Sequence, residues 1–207
     1  MSPHLPPALR RHLSALRMLL VFTAVTGIAY PLAVTGVARV AFPHQADGSL
    51  IEDNGTPVGS RLIGQNFTTP GGQPDPRWFQ PRPSAADGGK GAGAYDPEYS
   101  GASNLGPDNA DLVTSIERRR AAVAALDRVP PHSIPADALT AGGSGLDPHI
   151  SPAYARQQAT RVARARRLHP LLVHALVTRH IQGPDLGFLG QERVNVVELN
   201  HALKSLK

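Results

Sequence analysis

The chain has 207 residues, which allows one ordinary domain with additions but not two large domains. Its 20 glycines and 20 prolines predict many turns and irregular segments around a modest core. The formal net charge of +5 is compatible with nucleic acid, with anionic lipid or with a solvated surface. The absence of cysteine excludes disulfides, cysteine-based zinc sites and thiol nucleophiles.

Residues 18–38 form a long apolar segment, MLLVFTAVTGIAYPLAVTGVA, that contains no charged side chain. At about 1.5 Å per residue a helix of this length spans about 30 Å, the thickness of the hydrocarbon core of a bilayer. We therefore expect a transmembrane helix over residues 18–38. A cleaved signal peptide is the alternative, although its apolar region is normally shorter.

The charges that flank this segment predict its orientation. Arginines precede it at Arg10, Arg11 and Arg17, whereas only Arg39 follows closely. The positive-inside rule then places residues 1–17 in the cytoplasm and the rest of the chain outside it.

Small residues within the segment recur at a spacing of four. They are the pairs Thr23 with Gly27 and Ala29 with Ala33. This spacing permits the close approach of a partner helix, so we expect these residues to lie at a helix–helix contact.

The remainder of the chain divides into a polar connector, 39–57, and a soluble domain, 58–207. A short strand is predicted over 58–67. The Gly- and Pro-rich stretch 68–107 is too long for an ordinary connection in a compact domain. Because it contains most of the aromatic residues of the domain, we expect an ordered loop that packs on another surface. Those residues are Trp78, Phe79, Tyr95 and Tyr99.

Helices are predicted where capping residues precede apolar residues at helical spacing. The first covers 108–128, with Asn109 or Asp108 as its N-cap. The second begins at Ser151-Pro152 and ends near residue 168, and the third extends from Pro170 to Gly183-Pro184. Residues 194–199 are predicted as a strand that leads into a final helical turn or two. The expected class is α+β, with one small sheet, several helices and long loops.

Standard catalytic signatures are missing from the sequence. It contains no GxxxxGK[ST] phosphate loop, no GxGxxG after a strand, no HExxH and no GxSxG. The nine histidines are scattered, so no metal site is expected. A basic helix that contains Arg156, Arg161, Arg164, Arg166 and Arg167 would suit nucleic acid. Its expected position outside the cytoplasm and the lack of interleaved aromatic residues favour a solvated face or a subunit contact.

Residues 140–151, TAGGSGLDPHIS, combine three glycines with a polar corner and a helix start. Ser144, Asp147 and His149 could form a rudimentary hydrolytic site in an anchored extracytoplasmic enzyme or binding protein. These three residues lie too close in sequence to make triad geometry a firm expectation, and no oxyanion motif accompanies them. A cytoplasmic nucleic-acid binder is a third possibility, which would require that residues 18–38 do not cross a membrane.

Seven strings carry a resemblance to a known family. They are GSRLIGQNF at 59–67, RPSAA at 82–86, SGASNLGPDN at 100–109, PAD at 135–137, GSGLDPHISP at 143–152, QATRVARAR at 158–166 and RVNVVELNHAL at 193–203. With the single N-terminal apolar helix, the chain resembles the C subunit (KdpC) of bacterial high-affinity potassium-transporting P-type ATPases over nearly its whole length.

The resemblance implies an accessory subunit with no catalytic centre and no cofactor of its own. The chain lacks the DKTG phosphorylation loop of P-type ATPases and a TVGYG-like potassium filter. ATP and potassium would be handled by the expected partners, which are a pore-forming subunit, a P-type ATPase subunit and a small membrane subunit. The other expected partner is the lipid bilayer, and no nucleic acid is expected.

We expect the polar segment and the aromatic loop to dock on the pore-forming subunit. The candidate docking residues are Gly143, Ser144, Gly145, Leu146, Asp147, Pro148, His149, Ser151, Trp78, Phe79, Asn104, Asn195 and Asn200.

The family resemblance also raises a role as a nucleotide-binding chaperone of the ATPase. The candidate residues here are Gly142, Gly143, Ser144, Gly145 and Gln158. The expected topology argues against this role, because ATP is cytoplasmic. Gly143 or its neighbour also stands where the family usually has serine, and Ala159-Thr160 replace a usual Ile/Val-Pro pair.

Overall fold

The structure is a computed structural model that describes residues 6–88 and 95–206. Parts of the predicted cytoplasmic N-terminus and of the Gly- and Pro-rich loop therefore lie outside the described residues. The chain divides into two compact units, Met1–Ser49 and Leu50–Lys207.

The first unit consists mainly of one continuous helix. It comprises α1 (Pro7–Ala24), a π-helical turn (Val25–Ala29) and α2 (Tyr30–Ala41), and a short helix α3 (Pro43–Ala46) follows. Its most apolar window of 18 residues has a mean hydropathy of 1.8, and none of that window is buried within the molecule. The helix is therefore long and apolar enough to span a membrane.

The π-helical turn has a local cause in the sequence. Pro31 has no backbone N–H, and in an α-helix its ring would clash with the carbonyl group of Gly27. The widened turn lies directly before it, and the N–H of Tyr30 bonds to the carbonyl oxygen of Val25. A Cβ atom at Gly27 would lie 3.9 Å from Cγ2 of Thr23, so these two positions share one face of the helix.

The second unit begins with a β-hairpin. β1 (Leu50–Asp53) pairs antiparallel with β2 (Thr56–Ser60) through a two-residue turn, Asn54-Gly55. Both turn residues have positive φ, 53° and 76°, as the tight hairpin turn requires. The predicted strand over 58–67 is therefore wrong beyond Ser60. Its chain turns there, because the Ser60 hydroxyl accepts a hydrogen bond from the N–H of Leu62 (3.1 Å).

The long Gly- and Pro-rich loop contains no helix or strand in its described part. Buried side-chain amides take the place of a neighbouring strand. Asn200 accepts from the N–H of Phe79 and donates to its carbonyl oxygen, both at 2.9 Å. Gln158 does the same for Gln80, at 2.7 and 3.0 Å. The prediction that the loop is ordered is confirmed for its described residues, and Phe79 and Tyr95 pack inside the domain itself.

Three helices follow in the order that the sequence predicts. They are α4 (Ala110–Asp127), α5 (Pro152–Arg166) and α6 (Pro170–Arg179). The predicted caps are present: the side chain of Asn109 accepts from the first turn of α4, and that of Ser151 accepts from the first turn of α5.

A small antiparallel sheet brings together three short strands from residues 149–195. It contains β3 (His149–Ile150), β4 (Ile181–Gln182) and β5 (Arg193–Asn195) in the order β3-β5-β4. Val194 pairs with both Ile150 and Ile181. The third predicted helix ends earlier than Gly183, because Ile181–Gln182 forms β4 instead.

The last helix, α7 (Val196–Lys204), occupies most of a predicted strand. That prediction, over 194–199, is wrong after Asn195. The carboxamide oxygen of Asn195 accepts hydrogen bonds from the N–H groups of Val197 and Glu198, at 3.0 and 3.2 Å. This capping outweighs the preference of the valines for extended structure. The α+β class is confirmed, with a hairpin and a three-stranded sheet.

A buried ion pair connects α4 with α5, and its arginine also bonds to the long loop. Nε of Arg161 lies 2.7 Å from Asp127, and the two side chains are 4% and 1% exposed. Nη1 of Arg161 also donates to the carbonyl oxygens of Pro76 and Trp78. Each polar group of the pair thus has a partner, as a buried charge requires.

Candidate functional site

Residues 142–149 form a surface segment whose backbone is fixed by the rest of the domain. Three distant parts of the chain donate hydrogen bonds to its carbonyl groups. These bonds run from Gly64 to Leu146 (2.8 Å), from Gly101 to Ser144 (2.9 Å) and from Val196 to Pro148 (2.9 Å). The segment is therefore held in one conformation, although only its last residue, His149, belongs to a strand.

Gly145 is the tightest position of the segment. Its φ is +68°, and a Cβ atom there would lie 2.6 Å from the carbonyl oxygen of Gly101 and 2.7 Å from the backbone nitrogen of Ala86. Both neighbours are backbone atoms, which cannot rotate away. Only glycine fits this close approach between two loops.

Asp147 and His149 of the segment form a polar triplet with Arg82. Oδ1 of Asp147 accepts from the N–H of His149 (3.0 Å) and lies 2.9 Å from its Nδ1. Arg82 reaches the other carboxylate oxygen at 3.5 Å. Burial raises the pKa of Asp147. The hydrogen bonds from His149 and the electrostatic effects of His149 and Arg82 lower this pKa by more in total, so the net shift is downward. The carboxylate is therefore ionised at neutral pH.

Tyr95 is hydrogen-bonded to the backbone of this triplet. Its hydroxyl group donates to the carbonyl oxygen of Arg82 (2.8 Å), and its ring packs against Gly64. Burial raises the pKa of Tyr95, and the nearby charge of Asp147 adds to the effect. The phenol therefore stays protonated and able to donate.

The three residues of the triplet line a shallow surface depression. Its wall includes Arg82, Leu62 and Ile63 besides residues 141–144 and 146–149. Leu62 is 62% exposed, and Gly143 and Ser144 are exposed as well. A fixed depression with an exposed apolar side chain and an oriented charge suits contact with another protein surface.

Several predicted docking residues lie inside the domain instead. Phe79, Asn195 and Asn200 are almost completely buried, and their polar groups bond within the fold. They cannot contact another subunit without unfolding, so we remove them from the candidate docking surface. Ser151 is occupied as the cap of α5 and donates to Asp137 (3.0 Å).

The other aromatic and amide candidates divide between packing and exposure. Trp78 is half-buried, with the guanidinium group of Arg166 4.2 Å above its ring and Phe67 6.0 Å away. Asn104 is exposed with a φ of 53°. Trp78 thus has a packing role, whereas Asn104 remains accessible.

The nucleotide candidates do not form one accessible group. Gln158 is completely buried, and its amide bonds the backbone of Gln80 and the guanidinium group of Arg161. It therefore has no free polar atom to offer a ligand, unlike the exposed Gly143 and Ser144.

The structure does not join the three residues of the hydrolase alternative by hydrogen bonds. His149 and Asp147 are paired as in a triad, but the Ser144 hydroxyl accepts the N–H of Leu146 (3.1 Å), and no hydrogen bond to His149 occurs among the described residues. Nor does the described part of the chain hold a cluster of three or more His, Asp or Glu that could bind a metal.

Sequence reasoning missed Arg82 and Leu62 as members of the site. Arg82 lies 65 residues from Asp147, and only folding brings the two together. Both residues do fall within strings that carry the family resemblance, which was the only available signal.

Comparison with known proteins identifies the family. The sequence model of the family described as "KdpC: K+-transporting ATPase, c chain" matches residues 12–205. A potassium-transporting ATPase KdpC subunit of Kineococcus radiotolerans is 54% identical over 205 residues, which cover 99% of this chain and 98% of the relative. The KdpC subunit of Streptomyces avermitilis is 48% identical, covering 93% and 92% of the two chains. The chain therefore belongs to the KdpC family of K+-transporting ATPase subunits.

Proposed function

We propose that this chain is an accessory, non-catalytic subunit of an ATP-driven potassium uptake complex, where it stabilises the assembly of the pore-forming and ATP-hydrolysing subunits. The observation that carries the proposal is the fixed segment 142–149 with its exposed glycine and serine. Family membership supports the complex, and the geometry of the segment supports a docking role within it.

A pre-ordered docking segment is favourable for binding. Because hydrogen bonds from three parts of the domain already fix its backbone, little conformational entropy remains to be lost on association. Exposed Leu62 supplies apolar area, and the ionised Asp147 beside Arg82 supplies an oriented charge pattern that selects a complementary partner.

The membrane helix has a second role in this proposal. It anchors the subunit and packs against membrane helices of its partners through Thr23, Gly27, Ala29 and Ala33. By the positive-inside rule, the arginines before the helix favour a docking domain outside the cytoplasm, and in this proposal the domain lies beside the pore-forming subunit and away from ATP. The third partner is a small membrane subunit of the same complex.

Substitution at the docking segment tests the proposal directly. Nothing lies within 4 Å of a Cβ atom built at Gly143, so Gly143→Trp should fold normally while it blocks contact. Gly106 has equally open space and serves as the matched control, Gly106→Trp. With a tag on the ATPase subunit, co-purification of the first variant should drop at least tenfold, and the control should co-purify fully. Equal recovery of both variants would refute docking at this segment.

Deletion of the domain tests the stabilising role, and labelling of a single cysteine tests the orientation. A complex that lacks residues 45–207 should not assemble, so normal assembly and pumping would refute the stabilising role. Because the chain has no cysteine, Leu171→Cys, at a position that is 71% exposed and outside the docking segment, introduces a single thiol for a membrane-impermeant maleimide. It should react in cells with an intact inner membrane, and reaction only after lysis would contradict the orientation.

A further inference from the structure

The turn at residues 185–189, here called the apolar turn, is ordered and projects from the domain. Asp185 and Leu189 exchange backbone hydrogen bonds of 2.8 and 2.9 Å across it. A third bond, from the N–H of Gly187 to the carbonyl oxygen of Pro184 (3.1 Å), closes its base. The turn is thus a built element with a fixed shape.

Large apolar side chains occupy the exposed tip of this turn. Leu186 is 83% exposed, Phe188 is 74% exposed and Leu189 is 50% exposed. Leu186 also has a φ of +55°, a conformation that is costly for leucine and common for asparagine. The fold therefore tolerates both backbone strain and exposed apolar surface at one place, which indicates that another apolar phase covers it.

The tip itself carries no charge. Asp185 forms an ion pair with Arg193 (3.3 Å), and residues 186–190 carry no charge. The tip can therefore leave water without stripping an unpaired charge of its hydration.

The base of the turn lies at the end of the domain that receives the chain from the membrane helix. β4 leads into the turn, and its Gln182 lines one surface depression together with His180 and Ile51. Ile51 is the second residue of the domain, which starts at Leu50. Residues 42–49 are all that connects α2 to this end, and even fully extended they reach only about 28 Å.

From these observations we propose that the apolar turn inserts Leu186 and Phe188 into the interfacial region of the bilayer that the helix spans. The occupant is lipid because the exposed tip is apolar, carries no charge and belongs to a domain joined by a short link to a helix that is long and apolar enough to span a membrane. Insertion gives the domain a second attachment to the membrane and restricts its rotation about the link. The inference holds for either orientation of the chain, so it does not rest on the proposed docking function.

Single-cysteine labelling of the full chain tests this insertion. Phe188→Cys, labelled with the environment-sensitive fluorophore NBD, is reconstituted into phosphatidylcholine vesicles. The emission should shift to the blue, and phospholipid with a nitroxide near the top of its acyl chain should quench it. Leu171→Cys is the matched control, because Leu171 is 71% exposed but lies at the opposite end of α6 from β4. Quenching at position 188 should exceed that at 171 several-fold.

A second variant separates insertion from folding. Leu186→Asn retains the left-handed backbone and removes the apolar side chain, so a chain with Leu186→Asn and Leu189→Cys should fold as before. The NBD label at position 189 should be quenched less in this variant than in a chain with Leu189→Cys alone, which retains Leu186. Solvent-like emission at position 188, or quenching equal to that at 171, would overturn the proposal. So would a blue shift that appears only when the other subunits are added and that lipid nitroxides do not quench, which would identify a protein pocket as the occupant.

Discussion

The amide of Asn200 should be one of the most important side chains for the stability of the domain. It pairs with both backbone polar groups of Phe79, whose side chain is fully buried, at a sequence separation of 121 residues. Substitution by alanine removes both hydrogen bonds and leaves a buried N–H and a buried C=O without partners.

The magnitude follows from those two groups. A buried polar group that loses its partner costs about 1–3 kcal/mol. Two such groups therefore predict a loss of about 2–6 kcal/mol for Asn200→Ala, to which a small cavity adds. A typical domain has a total stability of only about 5–15 kcal/mol. The substitution thus removes a large share of the free energy of unfolding.

The assay can use an internal reporter. The only tryptophan of the chain is Trp78, the residue before Phe79, so its fluorescence follows the local packing during urea unfolding of the full chain in micelles. Asn66→Ala, at an exposed asparagine, is the matched control and should change the free energy of unfolding by less than about 0.5 kcal/mol.

A third variant distinguishes hydrogen bonding from packing. Asn200→Leu keeps the branched shape of the side chain and leaves no cavity, but it also leaves the same two groups of Phe79 unpaired, so it should destabilise at least as much as two unpaired groups predict. If Asn200→Leu were as stable as the wild type, the amide would not be replacing a strand, and the reasoning would be refuted.

Three further substitutions test the docking segment and the core. Gly145→Ala should destabilise the domain by about 1 kcal/mol or more, from its positive φ alone, and lower complex yield, whereas Gly143→Ala should be neutral in thermal unfolding. Asp127→Ala should cost about 3–5 kcal/mol in chemical unfolding, because it leaves Arg161 buried and unpaired; a loss below 1 kcal/mol would contradict the buried pair. The pKa of Asp147 is lowered by folding, so its carboxylate stabilises the domain above its ordinary pKa of about 3.9, and this contribution is lost as pH falls through the lower folded value. The stability gap between the wild type and Asp147→Asn should therefore close below about pH 4, and a gap that widened there would reverse the assigned sign.

Helix starts were predictable because their signals are local. Asn109 and Ser151-Pro152 each place a capping side chain directly before a helix, and both act as caps in the structure. The same chemistry was overlooked at Asn195, where an asparagine three residues before Glu198 is a typical capping pattern. The valines between them suggested a strand, but the capping hydrogen bonds of Asn195 start a helix there instead.

The hairpin shows a second overlooked local signal. Asn54-Gly55 is the strongest two-residue turn signal for a β-hairpin, yet a strand was expected only after it. By contrast, the two-residue strands β3 and β4 leave no periodic pattern, because alternation cannot be recognised over two positions.

The candidate site was predictable only in its contiguous part. Residues 142–149 stand out in the sequence, whereas the positions of Arg82 and Leu62 depend on contacts across many residues. Burial was equally hidden: Phe79 and Asn200 are an aromatic and an amide residue, types common at interfaces, but the fold uses both in its core. Residue type alone does not tell a docking residue from one that completes a buried hydrogen bond.

The core and the docking surface share one stretch of chain, residues 80–84, which forms no helix or strand. At its beginning, Gln80 is held by Gln158, whose amide oxygen also accepts from Arg161 (2.6 Å). At its end, the hydroxyl group of Ser84 donates to the carbonyl oxygen of Gly145 (2.5 Å), and Arg82 lies between them facing Asp147. Because each residue of a chain spans at most about 3.3–3.6 Å, these five residues keep the site close to the buried amides of the core. The shape of the docking segment is therefore set partly by buried amides that cannot touch a partner subunit.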